Sequence, residues 1–511
     1  MKIVICGGGI SGLSAAYYAS QLLARTSTQK CKIIVVEKDK KVGGWMKTNV
    51  QSADRSVYDG PINEFGPRSV RFAGVVGNNT LQLVSDLKME DEVLPVTNSH
   101  VAAKKRLIYV KKQLHVLPNS LLSACTKKTP FSAPLARFIG PGLFKRVPPS
   151  YESMHEIASA RFGEEVADYL IDPFTRGVFA ADARKLSMKA AFPQMWPRLG
   201  PRKAAKPRRP LLPNREIFNK TLTANPFVKK AKRERWTQWT MKQGLANFNE
   251  AFAKHLEDSL GVEFLRNSEI HQITNHPNGK LSLQLKTQGN KEAPSAIHNV
   301  DHLISAIPSY ALSSILRRTN GGPSKQEYPL VMLGQMLNHI QWVDVAVVNV
   351  EYDGPAKENL PQLGFGHLVP SVEDSNVLGI IYDSCAFPQH DRLDKPSTRL
   401  TCMMGGSWFR NLFGDPRQVT TATLEQSALE SIAEQLKITK DPSHLQVNVH
   451  RQCIPTYQVG HTDLVENCED LISEHNLPIS LVGASYWGVS INDCIFNSRI
   501  AATKIISGQG L

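Results

Sequence analysis

The 511-residue sequence has no run of about 18 or more apolar residues, the length that a transmembrane helix needs. Its first two residues, Met1 and Lys2, lead directly into a strand-like segment. The charged region, apolar region and cleavage site of a signal peptide are not present there. We therefore expect no spanning helix and no cleaved presequence. An organelle is not excluded, because some imported proteins use internal signals.

The cysteines of the sequence also follow no recognised pattern. The sequence has eight cysteines, none of which forms a C-x-x-C pair. Their spacing fits neither a zinc site nor a disulfide framework. We expect free, mostly buried thiols and no bound metal, since an unpaired cysteine packs as a small apolar residue.

The overall composition excludes a disordered chain, because 41% of residues are apolar and 21% are charged. The charge is unevenly spread. Residues 101–240 hold 28 Lys and Arg against 9 Asp and Glu, whereas the whole chain holds 60 against 46. This excess suggests an anionic membrane surface, an anionic substrate or nucleic acid as partner, or else a solvated basic face. No recognised nucleic-acid-binding motif accompanies the charge, so we expect no nucleic acid.

The N-terminal segment predicts one βαβ unit. Residues 2–6 are typical of a short buried strand, residues 7–12 of a glycine turn, and the residues from Leu13 of a helix start. A second strand is predicted over residues 32–36 and ends on Glu37. This order of elements is the context in which a glycine-rich turn binds a dinucleotide.

The turn Gly7-Gly8-Gly9-Ile10-Ser11-Gly12 fits the pattern G-x-G-x-x-G. Small residues let the backbone approach a pyrophosphate, and the following helix N-terminus offers free N–H groups to it. Glu37 lies 25 residues after Gly12, close to the spacing of a ribose-binding carboxylate. An acid there favours FAD or NAD over NADP. The alternative is a glycine-rich turn without a ligand.

Other elements are predicted more coarsely from apolar spacing. We expect an exposed loop over most of residues 197–235, because Pro, Lys and Arg are dense there. The remaining predictions are helices at 154–162, 164–171, 236–256 and 492–506, and strands at 261–265, 281–285, 303–307, 343–352, 377–382, 400–404 and 479–482.

Two more motifs point to a flavin. Val42-Gly43-Gly44-Trp45 follows Glu37 and resembles the extended fingerprint of the flavin amine oxidase superfamily, although a basic residue is usual where Trp45 stands. Near the end, residues 481–494 predict a strand, a glycine turn and a helix start. The dipole of that helix would stabilise an anionic reduced flavin if it faced the ring. An ordinary strand-to-helix connection is the alternative.

The sequence as a whole resembles the mitochondrial-type protoporphyrinogen oxidases, which also carry tryptophan at position 45. The resemblance covers nearly the whole chain and is weakest over residues 198–235. Its further motifs are Glu64-Phe65-Gly66-Pro67-Arg68, Arg176-Gly177-Val178-Phe179-Ala180, Gly364-Phe365-Gly366-His367-Leu368-Val369-Pro370 and Gly405-Gly406-Ser407-Trp408.

The resemblance implies an α/β fold with three functional parts. A Rossmann-like FAD-binding domain is discontinuous and takes residues 1–95, 216–310 and 451–511. A helical membrane-binding domain takes residues 96–215, and a mixed-sheet substrate domain takes residues 311–450.

The resemblance also implies site residues. Arg106 is expected to bind a substrate propionate, and Gly177 to act at the reacting centre. Phe174, Gly177, Leu368 and Met403 are expected to line the pocket, with Phe174 replacing the usual aliphatic residue. The expected contacts of a non-covalent FAD are Gly7, Gly8, Gly9, Ile10, Ser11, Gly12, Glu37, Trp45, Gly66, Pro67, Arg68, Ser69, Ile270, Ala484, Val489, Ser490 and Ile491.

The implied activity is oxidation of protoporphyrinogen IX to protoporphyrin IX by O2 in heme biosynthesis, with release of H2O2. The implied location is the intermembrane-space side of the mitochondrial inner membrane; a homodimer and a hand-off to ferrochelatase stay open. His367 is either an acid–base group or a structural, hydrogen-bonded histidine. The alternatives for the whole chain are another flavin oxidase of the superfamily and a non-catalytic FAD-fold escort protein.

Overall fold

The computed structural model describes residues 1–26, 31–49, 60–127, 129–201, 215–287, 295–318 and 327–507. The strands, in chain order, are β1 (Lys2–Cys6), β2 (Lys32–Val36), β3 (Val70–Arg71), β4 (Val93–Thr97), β5 (Leu107–Val110), β6 (Gln113–Val116), β7 (Trp236–Met241), β8 (Glu263–Leu265), β9 (Ser268–Asn275), β10 (Leu281–Thr287), β11 (Ala296–Val300), β12 (His302–Ser305), β13 (Gln341–Asp353), β14 (Gly366–Leu368), β15 (Val377–Tyr382), β16 (Ser397–Gly406), β17 (His444–Thr456) and β18 (Ile479–Leu481).

The helices surround these strands. In chain order they are α1 (Ile10–Thr26), α2 (Gly74–Asp86), α3 (Val101–Lys104), α4 (Leu121–Thr126), α5 (Leu135–Gly142), α6 (Met154–Phe162), α7 (Glu164–Val166), α8 (Asp172–Phe179), α9 (Met188–Ala191), α10 (Trp196–Leu199), α11 (Arg215–Ala224), α12 (Pro226–Arg233), α13 (Leu245–Asp258), α14 (Ser309–Leu316), α15 (Tyr328–Leu337), α16 (Ala356–Asn359), α17 (Asp383–Ala386), α18 (Phe409–Phe413), α19 (Thr421–Leu436), α20 (His461–Glu474) and α21 (Ile491–Ser507). A π-helical turn, Ala167–Ile171, joins α7 to α8.

A five-stranded parallel sheet, ordered β18-β12-β1-β2-β8, positions the predicted dinucleotide site. The strands of this sheet are apolar runs that bury both faces, as parallel strands do. Ile3 and Ile5 pack into one hydrophobic core, whereas Val4 packs into another on the opposite face. The α/β class and the predicted strands β1, β2, β12 and β18 are confirmed.

The strand β7 corrects a prediction, because residues 236–256 were expected to form one helix. The segment Trp236–Met241 instead pairs antiparallel with β3 and β4. Its tryptophan and threonine side chains suit a pleated, half-buried surface. The helix α13 begins only after Gly244, whose φ of +83° is one that side-chain-bearing residues rarely adopt.

A seven-stranded sheet, ordered β17-β13-β16-β15-β14-β5-β6, forms the second large unit. All its pairs are antiparallel except β14 with β5. The strands β5 and β6 come from the segment predicted as the helical membrane-binding domain, and β17 crosses the predicted boundary at residue 450. The functional division of the chain into five ranges stays a prediction.

The basic stretch 197–235 was expected to be mostly exposed loop, which is wrong for its second half. Residues 202–214 lie outside the described residues, but α11 and α12 follow them. Asn225 caps α12 by accepting the backbone N–H groups of Phe227 and Val228. Phe227 and Val228 then pack into the hydrophobic core, and this burial stabilises the helix. The sequence did not predict α12, because its many basic residues are more typical of an exposed loop.

No helix within the described ranges combines the length and apolar character needed to cross a bilayer. The same ranges contain no cluster of three or more His, Cys, Asp or Glu side chains that could hold a metal ion. All eight cysteines are free thiols, and the expectation that most are buried is confirmed for five of them; Cys125 is exposed.

Candidate functional site

The turn between β1 and α1 requires glycine for steric reasons. A Cβ at Gly12 would lie 1.9 Å from the Gly7 carbonyl oxygen, so the helix can begin this close to the strand only without a side chain. Gly7 has a φ of +102°. A Cβ at Gly9 would have only the Gly44 backbone within 4 Å, which leaves the open cradle that a pyrophosphate needs. The turn therefore fits a dinucleotide.

Glu37 stands at the C-terminal end of β2 and points toward this turn. Its carboxylate accepts the Gly8 N–H at 2.7 Å and the Asp39 N–H at 2.9 Å. The side chain is buried, and no basic side chain in the described ranges forms a salt bridge with it. A carboxylate can accept about four hydrogen bonds, so it keeps capacity for ribose hydroxyls.

The second glycine pair packs directly on the first. The Gly43 N–H donates to the Gly8 carbonyl at 2.9 Å, and both Gly43 and Gly44 have positive φ values. Trp45 follows with an exposed ring, which meets His450 edge-on at a centroid distance of 5.7 Å. The structure thus places Trp45 at the rim of the cradle.

The segment Gly66 to Ser69 joins the cradle to the seven-stranded sheet. A Cβ at Gly66 would lie 2.0 Å from the Trp45 carbonyl oxygen, so this position too requires glycine. Pro67 follows, and Arg68 lies 3.2 Å from the Asp383 carboxylate. The Ser69 hydroxyl contacts the Gln238 side chain at 3.3 Å.

Just upstream of this segment, the buried carboxylate of Glu64 accepts the Leu245 N–H and the Thr48 hydroxyl. Burial raises the pKa of Glu64 to about 7. A Cβ at Gly244 would clash with Thr48 and closely approach Glu64. Glycine is therefore required at position 244.

The C-terminal segment reaches the same cradle. Gly483 has a φ of +110°, and its Cβ position faces the Ser11 side chain at 3.6 Å. Ala484 follows, and Val489, Ser490 and Ile491 lead into α21. The Ser490 hydroxyl accepts the Asp493 N–H, which caps that helix.

Ile270 differs from the other expected FAD contacts. Its side chain lies in the hydrophobic core that also holds Val4 and Val36. Any contact of this residue with FAD would therefore run through its backbone, while the side chain supports the sheet.

A row of residues crosses the seven-stranded sheet and forms the expected pocket wall. Leu368 lies opposite Ile108 on one side and Gly379 on the other. Gly379 in turn lies opposite Met403. The Met403 sulfur lies 3.6 Å from an Arg68 guanidinium nitrogen, so the wall adjoins a segment expected to bind FAD.

Gly177 meets this wall from α8. A Cβ at Gly177 would lie 2.2 Å from a methyl group of Leu368. Gly177 stands in the last turn of α8, where helix carbonyl groups lack intrahelical partners. Phe174 lies one turn earlier, with its ring 5.8 Å from that of Phe192.

The buried guanidinium of Arg176 ties α8 to the strand that carries Leu368. It donates to the carbonyl groups of Val369, Pro370 and Ser375. It also stacks over Trp408 at 4.7 Å. Burial lowers the pKa of Arg176 to about 10. The sequence analysis named Arg176 as part of a family motif but did not predict that it ties α8 to the pocket wall.

Arg106 stands immediately before β5, next to the wall, and is exposed. Partial burial and the positive charge of Arg71 lower the pKa of Arg106. Within the described part of the chain, neither guanidinium forms a salt bridge or hydrogen bond. Two cations without an acid between them favour an anionic ligand. Arg71 was missed from the sequence, since nothing local shows that β3 approaches Arg106.

The structure favours the structural interpretation of His367. Its Nδ1 lies 2.8 Å from the Tyr382 hydroxyl, and its Nε2 lies 2.7 Å from the Gln435 side-chain oxygen. The Gln435 amide nitrogen donates to Ser375, so Nε2 is the protonated nitrogen and Nδ1 the acceptor. Burial lowers the pKa of His367 to about 4, so the ring is neutral at physiological pH.

This burial predicts a pH-dependent stability. The unfolded chain binds a proton at the ordinary histidine pKa, whereas folded His367 resists it, so the free energy of unfolding falls as pH drops from about 6.5 toward 4. We expect His367→Gln to reduce the loss between about pH 7 and pH 5 by roughly 2 kcal/mol, measured by urea unfolding. The exposed control His444→Gln should behave as wild type. A turnover number at about pH 7 that collapses in His367→Gln would contradict the structural role.

Comparison with known proteins identifies the family to which the chain belongs. The family model for flavin-containing amine oxidoreductases matches residues 10–506. Protoporphyrinogen oxidase of Homo sapiens is 37% identical over 99% of this chain and 98% of its own length. The protein of that name from Schizosaccharomyces pombe is 29% identical over 99% of both chains.

Solved structures agree on the fold. A crystal structure from Exiguobacterium sp. 255-15, assigned as a protoporphyrinogen oxidase, aligns with a TM-score of 0.72 and 20% identity over 99% of both chains. The chain therefore belongs to the flavin-containing amine oxidoreductase family and, within it, to the protoporphyrinogen oxidases.

Proposed function

We propose that this chain oxidises protoporphyrinogen IX to protoporphyrin IX, with FAD as cofactor and O2 as final electron acceptor. The observation that carries the proposal is the position of Arg106, an exposed guanidinium without an acidic partner in the described ranges. It stands beside an apolar wall that ends at a flavin-binding segment. The substrate has the same polarity, a large apolar ring with anionic propionates.

The residues of this chain hold and orient the reactants. FAD supplies the hydride acceptor when it is bound. Arg106 would orient one propionate by a charge-assisted contact. Gly177, which bears no side chain, lets α8 pack directly on Leu368, in the wall that Leu368 and Met403 form. The product is aromatic, so placing the reacting C–H group and excluding water suffice without a strong general base.

The proposed stoichiometry is three two-electron oxidations, each followed by reduction of one O2 to one H2O2. The cofactor is held non-covalently. Cys494 is the cysteine nearest the C-terminal flavin segment, and burial raises the pKa of its thiol to about 12. A protonated, buried thiol is a poor nucleophile, which argues against a covalent link.

The two alternatives fit the site less well. An amine oxidase substrate carries a positive charge, which Arg71 and Arg106 would repel. An escort protein needs no intact flavin cradle, whereas the steric requirement for glycine persists at Gly12 and Gly66.

The function is tested by aerobic turnover of the purified protein. We expect protoporphyrin fluorescence to appear with consumption of three O2 and formation of three H2O2 per product molecule. Removal of O2 should stop continued turnover. Oxidation of amines with no oxidation of protoporphyrinogen would overturn the proposal.

Arg106 generates a second prediction. Arg106→Ala removes a charge-assisted contact worth about 1–3 kcal/mol, so KM should rise about 5- to 150-fold with FAD content unchanged. The matched control is Lys104→Ala, which removes a nearby positive charge two residues away. If Arg106→Ala and Lys104→Ala both keep the wild-type KM, Arg106 is only part of a solvated basic cluster.

We further propose that the helical segment, defined here as residues 96–215, binds an anionic membrane surface as a monotopic domain. Leu121, Leu122 and Phe144 are 89%, 74% and 83% exposed, and Leu143 is 52% exposed. The neighbouring Arg137, Lys145 and Arg146 are exposed as well. Exposed apolar side chains beside basic ones suit an interfacial contact.

Not every apolar residue of this segment is available for insertion. Phe131, in the same segment, is only 4% exposed and packs with Leu135 and Val166. Phe138 and Ile139 are half-buried against the same cluster. The proposed contact therefore rests on α4 and on the end of α5.

The proposed location is the mitochondrial inner membrane on its intermembrane-space side. Because substrate and product are poorly soluble, catalysis at a membrane surface is favoured. A membrane location would also allow direct hand-off of the product to ferrochelatase. A homodimer is compatible with this arrangement. These points rest on the family and on the exposed apolar residues.

Liposome flotation tests the membrane contact. Wild-type protein should float with anionic vesicles in low and high salt and be released by detergent, since about 1 M salt screens charge but not apolar insertion. Leu122→Ser combined with Phe144→Ser should make binding salt-sensitive. The control Leu393→Ser changes a 60% exposed leucine outside this segment and should behave as wild type. No flotation of wild type in low salt would contradict the contact.

A further inference from the structure

Tyr457 connects the helical segment to the C-terminal flavin segment and was not singled out by any sequence motif. It follows β17 directly and is 1% exposed. Its backbone carbonyl accepts the Ser187 N–H at 2.7 Å. Its ring stacks on that of His461 at 4.0 Å with an interplanar angle of 14°. Backbone and ring are thus both fixed.

The hydroxyl of this fixed side chain reaches the flavin loop, defined here as residues 484–488. It donates a hydrogen bond to the Ala484 carbonyl at 2.5 Å. It also accepts the Gly488 N–H at 2.8 Å. One phenol oxygen thereby joins the first and last residues of a loop that belongs to no helix or strand.

The geometry of the flavin loop depends on such outside contacts. Gly483 precedes it with a φ of +110°, and Gly488 ends it with a φ of +139°, so both ends allow unusual backbone turns. Inside it, the Tyr486 carbonyl accepts from the His461 ring at 3.0 Å, and the Trp487 indole donates to Glu469 at 2.7 Å. These contacts hold the middle of the loop, whereas the Tyr457 hydroxyl bonds a residue at each end of it.

We propose that Tyr457 is a positioning residue for FAD, because its hydroxyl holds the flavin loop so that Ala484 and the residues from Val489 onward meet the cofactor. This inference rests on the proposed function and on the predicted FAD contacts Ala484, Val489, Ser490 and Ile491. In this role Tyr457 touches neither substrate nor cofactor. It acts through the backbone of the loop.

A Tyr457→Phe substitution keeps the stack on His461 and removes only the hydroxyl. The Ala484 carbonyl and Gly488 N–H then lose a partner that phenylalanine cannot replace. We expect FAD to leave the purified holoprotein about tenfold faster, measured by the fluorescence of released flavin after dilution. We also expect the reduction potential of the bound flavin to shift.

The matched control is Tyr382→Phe, which removes another buried hydroxyl from a polar partner, His367. This change should lower the melting temperature but leave the rate of FAD release within about twofold of wild type. A merely structural role for Tyr457 predicts equal effects of both substitutions. Equal FAD release and equal potential in Tyr457→Phe and wild type would overturn the proposal.

Amide exchange keeps the test decisive if Tyr457→Phe does not fold. In the wild-type holoprotein the Gly488 N–H should exchange as slowly as amides of the five-stranded sheet. Fast exchange of that amide would overturn the proposal. The outcomes also separate this inference from the proposed function. A wild-type protein without FAD refutes the function, whereas FAD-bound wild type with an unaffected Tyr457→Phe refutes only the positioning role.

Discussion

The flavin cradle exists only because the two ends of the chain meet. The strand β1 lies between β2 and β12, and β18, formed more than 470 residues later, extends the same sheet. The Ser498 hydroxyl then donates to the Ser11 carbonyl at 2.8 Å, which ties α21 to α1. Because this pairing is distant in sequence, the cradle cannot close before the last segment of the chain is in place.

Glycine residues, which have no side chain, shape both halves of the site. At Gly12 and Gly66, a backbone oxygen occupies the place where a Cβ would stand, and at Gly177 a methyl group of Leu368 does so. The first two bring backbone segments of the expected FAD site close to each other. The third brings a helix close to the pocket wall. The proposed reaction requires close placement of a substrate C–H group and the flavin more than proton transfer, and His367 is correspondingly neutral and hydrogen-bonded at both nitrogens.

Local patterns predicted the elements whose causes are local. The helix Met154–Phe162 has a capping box between Ser153 and Glu156, and the strand Val377–Tyr382 is a short apolar run. The glycine turn and Glu37 were predictable for the same reason, since their spacing and the βαβ order are visible in the local sequence. Family resemblance supplied Leu368 and Met403, which the sheet register then placed in one row.

What the sequence did not predict depends on distant pairing. The segment of β7 was expected to be helical. It forms a strand because it pairs with β4, some 140 residues earlier, and this pairing cannot be seen in the local sequence. The strands β5 and β6 join a sheet built from residues beyond 340. The approach of Arg71 to Arg106 and the bonds of Tyr457 likewise have no local signature. Tertiary contacts override propensity at such places.

Under the proposed function, a single site brings a flavin together with a macrocycle that carries carboxylates. Anaerobic addition of protoporphyrinogen to the purified yellow protein tests it most directly. We expect the flavin colour to bleach and protoporphyrin fluorescence to appear, and admission of O2 to restore the colour. Persistence of the yellow colour with protoporphyrinogen, in a protein that a chemical reductant does bleach, would contradict it.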